Sequence, residues 1–216
     1  MCVRIYRIVI LMLVVVIASL TTGCASFCGN QLPTVTPKEL SVSDKLKPID
    51  YDTNFHIQGK PTGAGVQAFQ KIVEKTLKET EVFESVNPGT GREKTHLSIT
   101  LNNHGNIGAA AFSGALCGAT LFIIPGYARD KYTLTVEALD ENALIKKYEY
   151  NDYMSTWIGW LFLPAMPWHM TPKVSEKVIG NMIQNSLKDI INDGILKKDA
   201  KIPDKPESGL PAAADK

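Results

Sequence analysis

The sequence predicts an α+β fold in which a small antiparallel sheet carries two helices on one face. Two observations predict it. Two long segments repeat apolar residues every three or four positions, as amphipathic helices do, and three segments between them alternate apolar and polar residues, as half-buried strands do. A sheet with two helices on one face would bury both helical stripes. The domain is expected to span residues 51–196.

The domain begins with a weakly strand-like segment at residues 53–58. Pro61 and Thr62 are expected to open the first helix, which fades near residues 80–82, before a short strand at residues 83–86. Its apolar stripe consists of Val66, Phe69, Ile72, Val73 and Leu77.

Three alternating segments follow. In residues 97–102 the apolar side chains take every second position, and a second run of this kind covers residues 131–138. A turn at residues 140–142 leads to a third strand at residues 144–150. The last two strands are therefore predicted to form an antiparallel hairpin.

The strongest helical pattern starts at Thr171 and Pro172, which suit an N-cap and a first helical position. Gly194 is predicted to end this helix, as a C-terminal glycine often does. The apolar stripe consists of Val174, Val178, Met182, Ile183, Leu187, Ile190 and Ile191. Residues 197–216 are rich in Lys, Asp, Pro, Ala and Gly, and this tail is predicted to be disordered.

The amino-terminal segment has the pattern of a secretory signal. Arg4 and Arg7 precede an apolar run at residues 8–18, which suits a signal core and is short for a membrane span. The following segment, Ser19–Cys24, resembles the lipobox of bacterial lipoproteins, in which a peptidase cuts before a cysteine that carries the acyl chains. The resemblance implies that Cys24 is acylated and begins the mature chain. The alternative is an uncleaved amino-terminal anchor helix.

The same resemblance implies a location in the bacterial envelope. Residues 24–50 contain three prolines and no sustained period, and most of them are expected to tether the domain above the membrane. In the lipoproteins that the chain resembles, aspartate after the cysteine favours the inner membrane, so Ala25 indicates the outer membrane, facing the periplasm. In element order, residues 50–195 also look like the small α/β domains of outer-membrane secretion and cell-wall-regulator lipoproteins.

Charge and cysteine content narrow the functional classes. Removing residues 1–23, with Arg4 and Arg7, changes the formal net charge from +1 to −1, so there is no electrostatic reason to expect nucleic acid as a partner. Cys28 and Cys117 then remain beside Cys24, and two cysteines do not make a disulfide framework, although they could pair. Cys117 lies among Gly, Ala and Leu and is predicted to be a buried thiol.

Two apolar inserts, residues 107–127 and 153–170, flank the hairpin. The first contains eighteen consecutive uncharged residues, and the second contains all three tryptophans and no acidic or basic residue apart from His169. One insert leads into the hairpin and the other leaves it, so both are expected at one end of the sheet. The residues expected to form an interaction surface are Gly114, Gly118, Phe122, Trp157, Trp160 and Trp168.

Three interpretations of the inserts stay open. The first insert is either buried across the sheet with the second as its lid, or part of a surface for a partner or a second copy, or inserted into the membrane. Eighteen uncharged residues reach the lower limit of a span, tryptophan favours the bilayer interface, and Gly114 with Gly118 lets helices approach closely. Pro164 and Pro167 argue against a continuous helix in the second insert.

No catalytic, cofactor or metal site is predicted. Residues 63–68 fit the G-x-G-x-x-G/A spacing, but no parallel βαβ unit surrounds them. A hydrolase would need paired carboxylates in one cleft, which the pattern does not place together. The histidines lack ligand spacing. They are His56, His96, His104 and His169.

The sequence therefore favours a non-enzymatic envelope lipoprotein that acts as a binding or assembly module. Acyl chains on Cys24 would hold it to the membrane, and residues 107–127 and 153–170 would contact a second copy or an envelope protein. The alternative is a membrane-inserting oligomer, of pore or secretion type, that uses the same residues. No small-molecule substrate is evident.

Overall fold

The structure, a computed structural model, describes residues 23–42, 45–141 and 143–196. The predicted signal core and carboxyl-terminal tail lie outside these residues. The strands are β1 Cys24–Cys28, β2 Ile49–Ile57, β3 Lys60–Pro61, β4 Val86–Pro88, β5 Thr95–Asn103, β6 Gly126–Asp140 and β7 Ala143–Ile158. The helices are α1 Val66–Glu79, α2 Ile107–Ala119 and α3 Thr171–Asp193.

The described strands form one open sheet in the order β1-β7-β6-β5-β2-β3, and β4 also pairs with β2. The α+β class is confirmed, but the expectation of a purely antiparallel sheet is wrong, because β2 runs parallel to β5 and β4. Parallel neighbours need a crossover connection, and α1 lies in the connection that joins β2 to β5. The predicted hairpin is confirmed as β6 and β7, which pair over their full length.

Helix α1 starts later than predicted. Pro61, expected with Thr62 at its start, instead pairs with the end of β2, and together with Lys60 it forms strand β3. Gly65 then precedes the helix with a φ of 87°, a left-handed conformation that glycine adopts at little cost. The predicted stripe is confirmed: Phe69, Val73 and Leu77 are buried in the core, and Val66 and Ile72 are half-buried.

Helix α3 matches its prediction closely and ends at Gly194, whose φ of 68° is left-handed. The expected N-cap is wrong, because Met170 occupies that position and Thr171 is the first helical residue. The Thr171 hydroxyl instead lies 2.8 Å from the Ser26 hydroxyl. This contact ties the start of α3 to the edge strand β1.

The core lies between the sheet and the layer of α1 and α3, as predicted for two helices on one face. Helix α3 packs on β1, β6 and β7, and α1 packs on β2 and α3. The largest fully buried side chains include Tyr51, Phe69, Leu97, Ile99, Leu101, Leu134, Met182, Ile183 and Leu187. Since successive strand residues point to opposite faces, the polar residues that alternate with the buried ones along each strand lie on the uncovered face of the sheet.

Residues 24–50 differ most from expectation. Instead of a tether, Cys24–Cys28 forms an edge strand that pairs antiparallel with the last five residues of β7. Val35, Leu40 and Leu46 are buried in the same core as the helical stripes. These apolar residues are widely and irregularly spaced, so no periodicity marks them as part of the fold.

Tyr132 on β6 gives the core a pH dependence that can be measured. Burial raises the pKa of Tyr132 above its ordinary range, because the phenolate would lose its hydration, and the Asp130 carboxylate adds to this shift. The contribution of Tyr132 to folded-state stability is therefore fully present below the pKa of about 10 that tyrosine has in the unfolded chain. It is lost as the pH rises towards the higher pKa of the folded state. Relative to Tyr132→Phe, wild type is expected to lose about 1.4 kcal/mol of unfolding free energy per pH unit above pH ~10.

Urea unfolding of both proteins at several pH values between neutral and strongly alkaline measures this loss. The comparison with Tyr132→Phe cancels the titration of lysines that both proteins share. Parallel stability curves across the alkaline range would show that Tyr132 ionises as freely in the folded state as in the unfolded chain.

Candidate functional site

The two apolar inserts lie at the same end of the sheet, as the hairpin geometry predicted. In the strand register Gly126, the first residue of β6, is opposite Ile158, the last residue of β7. Ile158 is in turn opposite Cys24, the first residue of β1. We call residues 107–124 and 159–170, which extend beyond these strand ends, the apolar end.

The bounds of both inserts are narrower than predicted. Residues 126–127 belong to β6, and residues 153–158 belong to β7. The strands continue here because β1 supplies β7 with a second partner, a pairing that the sequence pattern did not reveal.

The first insert folds as helix α2. Its N-cap is Asn106, whose side chain accepts a hydrogen bond of 2.9 Å from the Ala109 amide. Cys117 is the buried residue of this helix, as predicted, and its thiol donates to the Ile158 carbonyl oxygen at 3.5 Å. A Cβ atom at Gly126 would lie 3.2 Å from the Cys117 Cβ, so the glycine permits the close approach of helix to strand.

The remainder of α2 and the turn after it face outward. The interpretation of this insert as a segment buried across the sheet is therefore wrong, because a helix that is apolar on all sides can bury only the side that meets β6. The predicted pair Gly114 and Gly118 faces open space, with no atom beyond the local helix backbone and the adjacent residues within 4 Å of a Cβ built there. The exposed large side chains of this segment are Ile107, Phe112, Leu116, Leu121, Ile123 and Ile124.

The second segment is a series of turns that contains Trp160 and Trp168, whereas the third predicted tryptophan, Trp157, lies just before it at the end of β7. The half-buried Trp157 packs with its ring centroid 5.6 Å from that of Phe162. Trp160 is exposed, and its indole N–H donates to the Leu121 carbonyl oxygen at 3.0 Å, which joins the two segments. Trp168 is 76% exposed.

The remaining residues of this segment continue the exposed surface. Its further exposed side chains are Leu161, Met166 and Met170. In the first segment, Phe122, the sixth predicted surface residue, is half-buried.

Cys24 lies at the base of the apolar end. Its side chain is half-buried, and its Sγ is 3.7 Å from the Thr171 hydroxyl oxygen at the start of α3. The preceding Gly23 is buried and accepts a hydrogen bond of 3.0 Å from the Gly159 amide. The predicted lipidation residue and the predicted contact residues are therefore neighbours in space.

The charges around the apolar end are arranged asymmetrically. The apolar end contains no Asp, Glu, Lys or Arg. The charged residues that follow its two segments in the chain are Arg129 and Lys173, both exposed, and the Arg129 guanidinium lies 4.5 Å from the centroid of the Tyr153 ring. On the acidic side, Asp152 is buried and Asp130 accepts a hydrogen bond from Asn103. The first charged residue after each segment is therefore basic and exposed.

Sequence reasoning missed a polar cluster on the uncovered face of the sheet. His96 Nε2 pairs with Asp52 Oδ1, and the Ser98 hydroxyl donates to Asp52 Oδ2 at 3.1 Å. The carboxylate lies between the histidine and the serine, whereas nucleophilic catalysis by such a triad needs the histidine between the other two. Only the parallel register of β2 and β5 brings these residues together, so alternation within single strands gives no signal for the cluster.

A cavity of about 330 Å³ lies between α1, α3 and the end of β1. Lys75, Lys177 and Glu176 line it together with Cys28. Cys28 and Cys117 are both free thiols, so the two do not pair. Burial raises the pKa of the Cys28 thiol, which keeps it protonated and unreactive at neutral pH.

The described part of the chain has neither a metal-binding cluster nor a membrane-spanning helix. Residues 23–42, 45–141 and 143–196 contain no group of three His, Cys, Asp or Glu side chains placed to hold a metal ion. Within the same ranges, no helix has the length and apolarity needed to cross a membrane.

No protein-family model and no curated protein matches the chain. Solved structures that it resembles include a neuraminyllactose-binding hemagglutinin homolog from Helicobacter pylori, with 8% identity over 74% of this chain and 89% of that one, at a TM-score of 0.43. A minor lipoprotein from Acinetobacter baumannii matches with 8% identity over 73% of this chain and 100% of that one, at a TM-score of 0.37. The PelC dodecamer from Paraburkholderia phytofirmans matches with 11% identity over 73% of this chain and 96% of that one, at a TM-score of 0.30. None of these likenesses assigns the chain to a family.

Proposed function

We propose that the protein is an envelope lipoprotein, anchored through acyl chains on Cys24, that acts as a binding or assembly module without catalysis. Residues 1–23 would be its signal peptide, and the outer membrane facing the periplasm its location. The apolar end would be its contact surface. One observation supports this proposal most: the exposed apolar end lies directly beside the cysteine of the lipobox-like segment.

The distribution of exposed apolar side chains supports a contact role. Among the described residues, twelve large apolar side chains are exposed, and Leu144 alone of these lies outside the apolar end. Single exposed apolar residues are common on soluble proteins, but a cluster of this kind usually marks a surface that contacts a partner or a membrane. The clustering is therefore the feature that a function has to use.

The polar chemistry of the described residues supports a role without catalysis. In the cluster of Asp52, His96 and Ser98, the serine is bonded to the carboxylate rather than to the base that would activate it. The proposal therefore places the function in contact rather than in reaction chemistry.

Replacing Cys24 by serine tests the anchor. Wild-type protein is expected to take up palmitate in metabolic labelling and to be found in the membrane fraction. Cys24→Ser is expected to carry no label and to leave the membrane fraction, because serine lacks the thiol that receives the lipid. Cys28→Ser is the matched control, since it lies four residues further along the same strand and is expected to keep both properties. Label retained on Cys24→Ser would overturn the proposed anchor.

A further inference from the structure

We infer that the apolar end is occupied by the lipid bilayer, which it enters to the depth of the headgroups and the first part of the acyl chains. This inference rests on the proposed function, since it names the partner of the same contact surface. The apolar end would then contact the membrane directly and fix the orientation of the domain, rather than leave it attached only through a flexible lipid tether.

The position of the anchor is the first step. Cys24 Sγ lies 3.7 Å from the hydroxyl of Thr171, and Thr171 directly follows the exposed Met170 of the apolar end. Acyl chains on this sulfur leave the protein beside the apolar end. Because β1 is paired along its length with β7, no slack separates the anchor from the surface. The bilayer that receives the chains is therefore the nearest apolar medium to these side chains.

The backbone of the apolar end suits a medium without water. Groups that enter lipid need their backbone hydrogen bonds satisfied internally. Helix α2 satisfies its interior amides, and Asn106 caps the Ala109 amide. In the second segment the Ala165 and Trp168 amides donate to the carbonyl oxygens of Phe162 and Ala165 at 3.1 and 3.2 Å. The Trp160 indole N–H is also paired, with the Leu121 carbonyl oxygen. The turns are thus closed by local bonds rather than left open to solvent.

The exposed apolar side chains and the basic residues that follow them in the chain suit the layers of a membrane surface. Leu161 is 87% exposed and Trp168 is 76% exposed, so both side chains project outward. A fluid bilayer accommodates projecting side chains, whereas a folded partner would need a fitted pocket for each. Tryptophan favours the level of the headgroups. Arg129 and Lys173 are the first charged residues that follow its two segments in the chain, and basic residues near a membrane are attracted to anionic lipids.

Fluorescence of Trp168 in lipid vesicles tests the inference. The lipidated mature protein, purified from membranes, is reconstituted into vesicles of phosphatidylethanolamine and phosphatidylglycerol that carry brominated acyl chains. With Trp157→Phe and Trp160→Phe, the emission of Trp168 is expected to fall by roughly half relative to unbrominated vesicles, because the indole lies near the acyl chains. Wild type compared with the single variant Trp168→Phe gives the same quenched component by difference, should the double variant fold poorly.

The matched control places a tryptophan at the opposite end of the sheet. Leu144 is 57% exposed beside the turn that joins β6 to β7. In a protein with Leu144→Trp and all three native tryptophans replaced by phenylalanine, brominated lipid is expected to leave the emission unchanged.

Three results would overturn parts of this account, and they differ from one another. Protection of Trp168 from aqueous acrylamide without quenching by brominated lipid would overturn the bilayer and indicate a second copy or an envelope protein as the occupant, with the proposed function intact. Free access of acrylamide to Trp168 would overturn both the bilayer and the contact role. Mature protein that carries no acyl chain on Cys24 yet shows quenched Trp168 would overturn the anchor and keep the bilayer.

Discussion

Replacing Ile183 by alanine is expected to lower the free energy of unfolding by about 3 kcal/mol, within the range of roughly 2–5 kcal/mol for such core deletions. Ile183 on α3 is 1% exposed and belongs to the core between the helices and the sheet. Alanine has the higher helix propensity, so a loss of stability would come from lost packing and not from the helix itself. Urea unfolding followed by circular dichroism measures the change.

Leu161→Ala in the apolar end is the matched control for this prediction. It removes a side chain of the same size from a position where the leucine makes little contact with the protein, so unfolding free energy is expected to stay within about 0.5 kcal/mol of wild type. A loss comparable to that of Ile183→Ala would mean that the apolar end is part of the core. The contact role proposed for it would then be wrong.

Replacing Asp50 by alanine is expected to cost about 3 kcal/mol, because the carboxylate organises the segment that leads into β5. Asp50 is fully buried, and its Oδ2 accepts hydrogen bonds of 2.6 and 2.9 Å from the backbone amides of Arg92 and Glu93. Hydrogen bonds to a charged group contribute roughly 1.5–3 kcal/mol each, and removing the acceptor leaves both amides unsatisfied. The Asp50 Oδ1 atom has no partner among the described residues. The cost of burying the carboxylate therefore offsets part of the stability that the two hydrogen bonds contribute.

Hydrogen exchange separates this local effect from a general loss of stability. The amides of Arg92 and Glu93 are expected to exchange faster in Asp50→Ala than the global change in stability accounts for. Asn54→Ala is the control, since Asn54 lies on the same face of β2 but is exposed. It is expected to change stability by less than about 0.5 kcal/mol. Uniformly accelerated exchange across the sheet would contradict the local role of Asp50.

Elements with strong local signals could be predicted from the sequence. Helix α3 has a long apolar stripe, a proline at its start and a glycine after its end, and its bounds match the prediction. The hairpin of β6 and β7 also follows from alternation and a turn. Strand β1 could not be predicted, because its five residues do not alternate and its partners in β7 lie more than 120 positions away. The parallel pairing of β2 with β5 depends on a crossover that periodicity does not encode.

The apolar end was predictable in position but not in exposure. Antiparallel geometry alone places the start of β6 beside the end of β7, so the sequence located both inserts at one end of the sheet. Helix α2 is apolar on nearly every side, so its pattern does not distinguish the face that packs from the faces that project. Contact with β6 decides this, and it buries Cys117 while leaving Gly114 and Gly118 open.

If the chain is cut before Cys24, as proposed, the burial of Gly23 implies an order for cutting and folding. This residue is fixed by the hydrogen bond from the Gly159 amide to its carbonyl oxygen, and a Cβ atom there would approach the Leu163 backbone nitrogen to 2.7 Å. A peptidase needs the chain on both sides of the bond in its own active site, which the paired edge of the sheet prevents. If Cys24 becomes the amino terminus as proposed, cutting precedes the docking of β1 onto β7. A precursor that folded first would conceal its own maturation site.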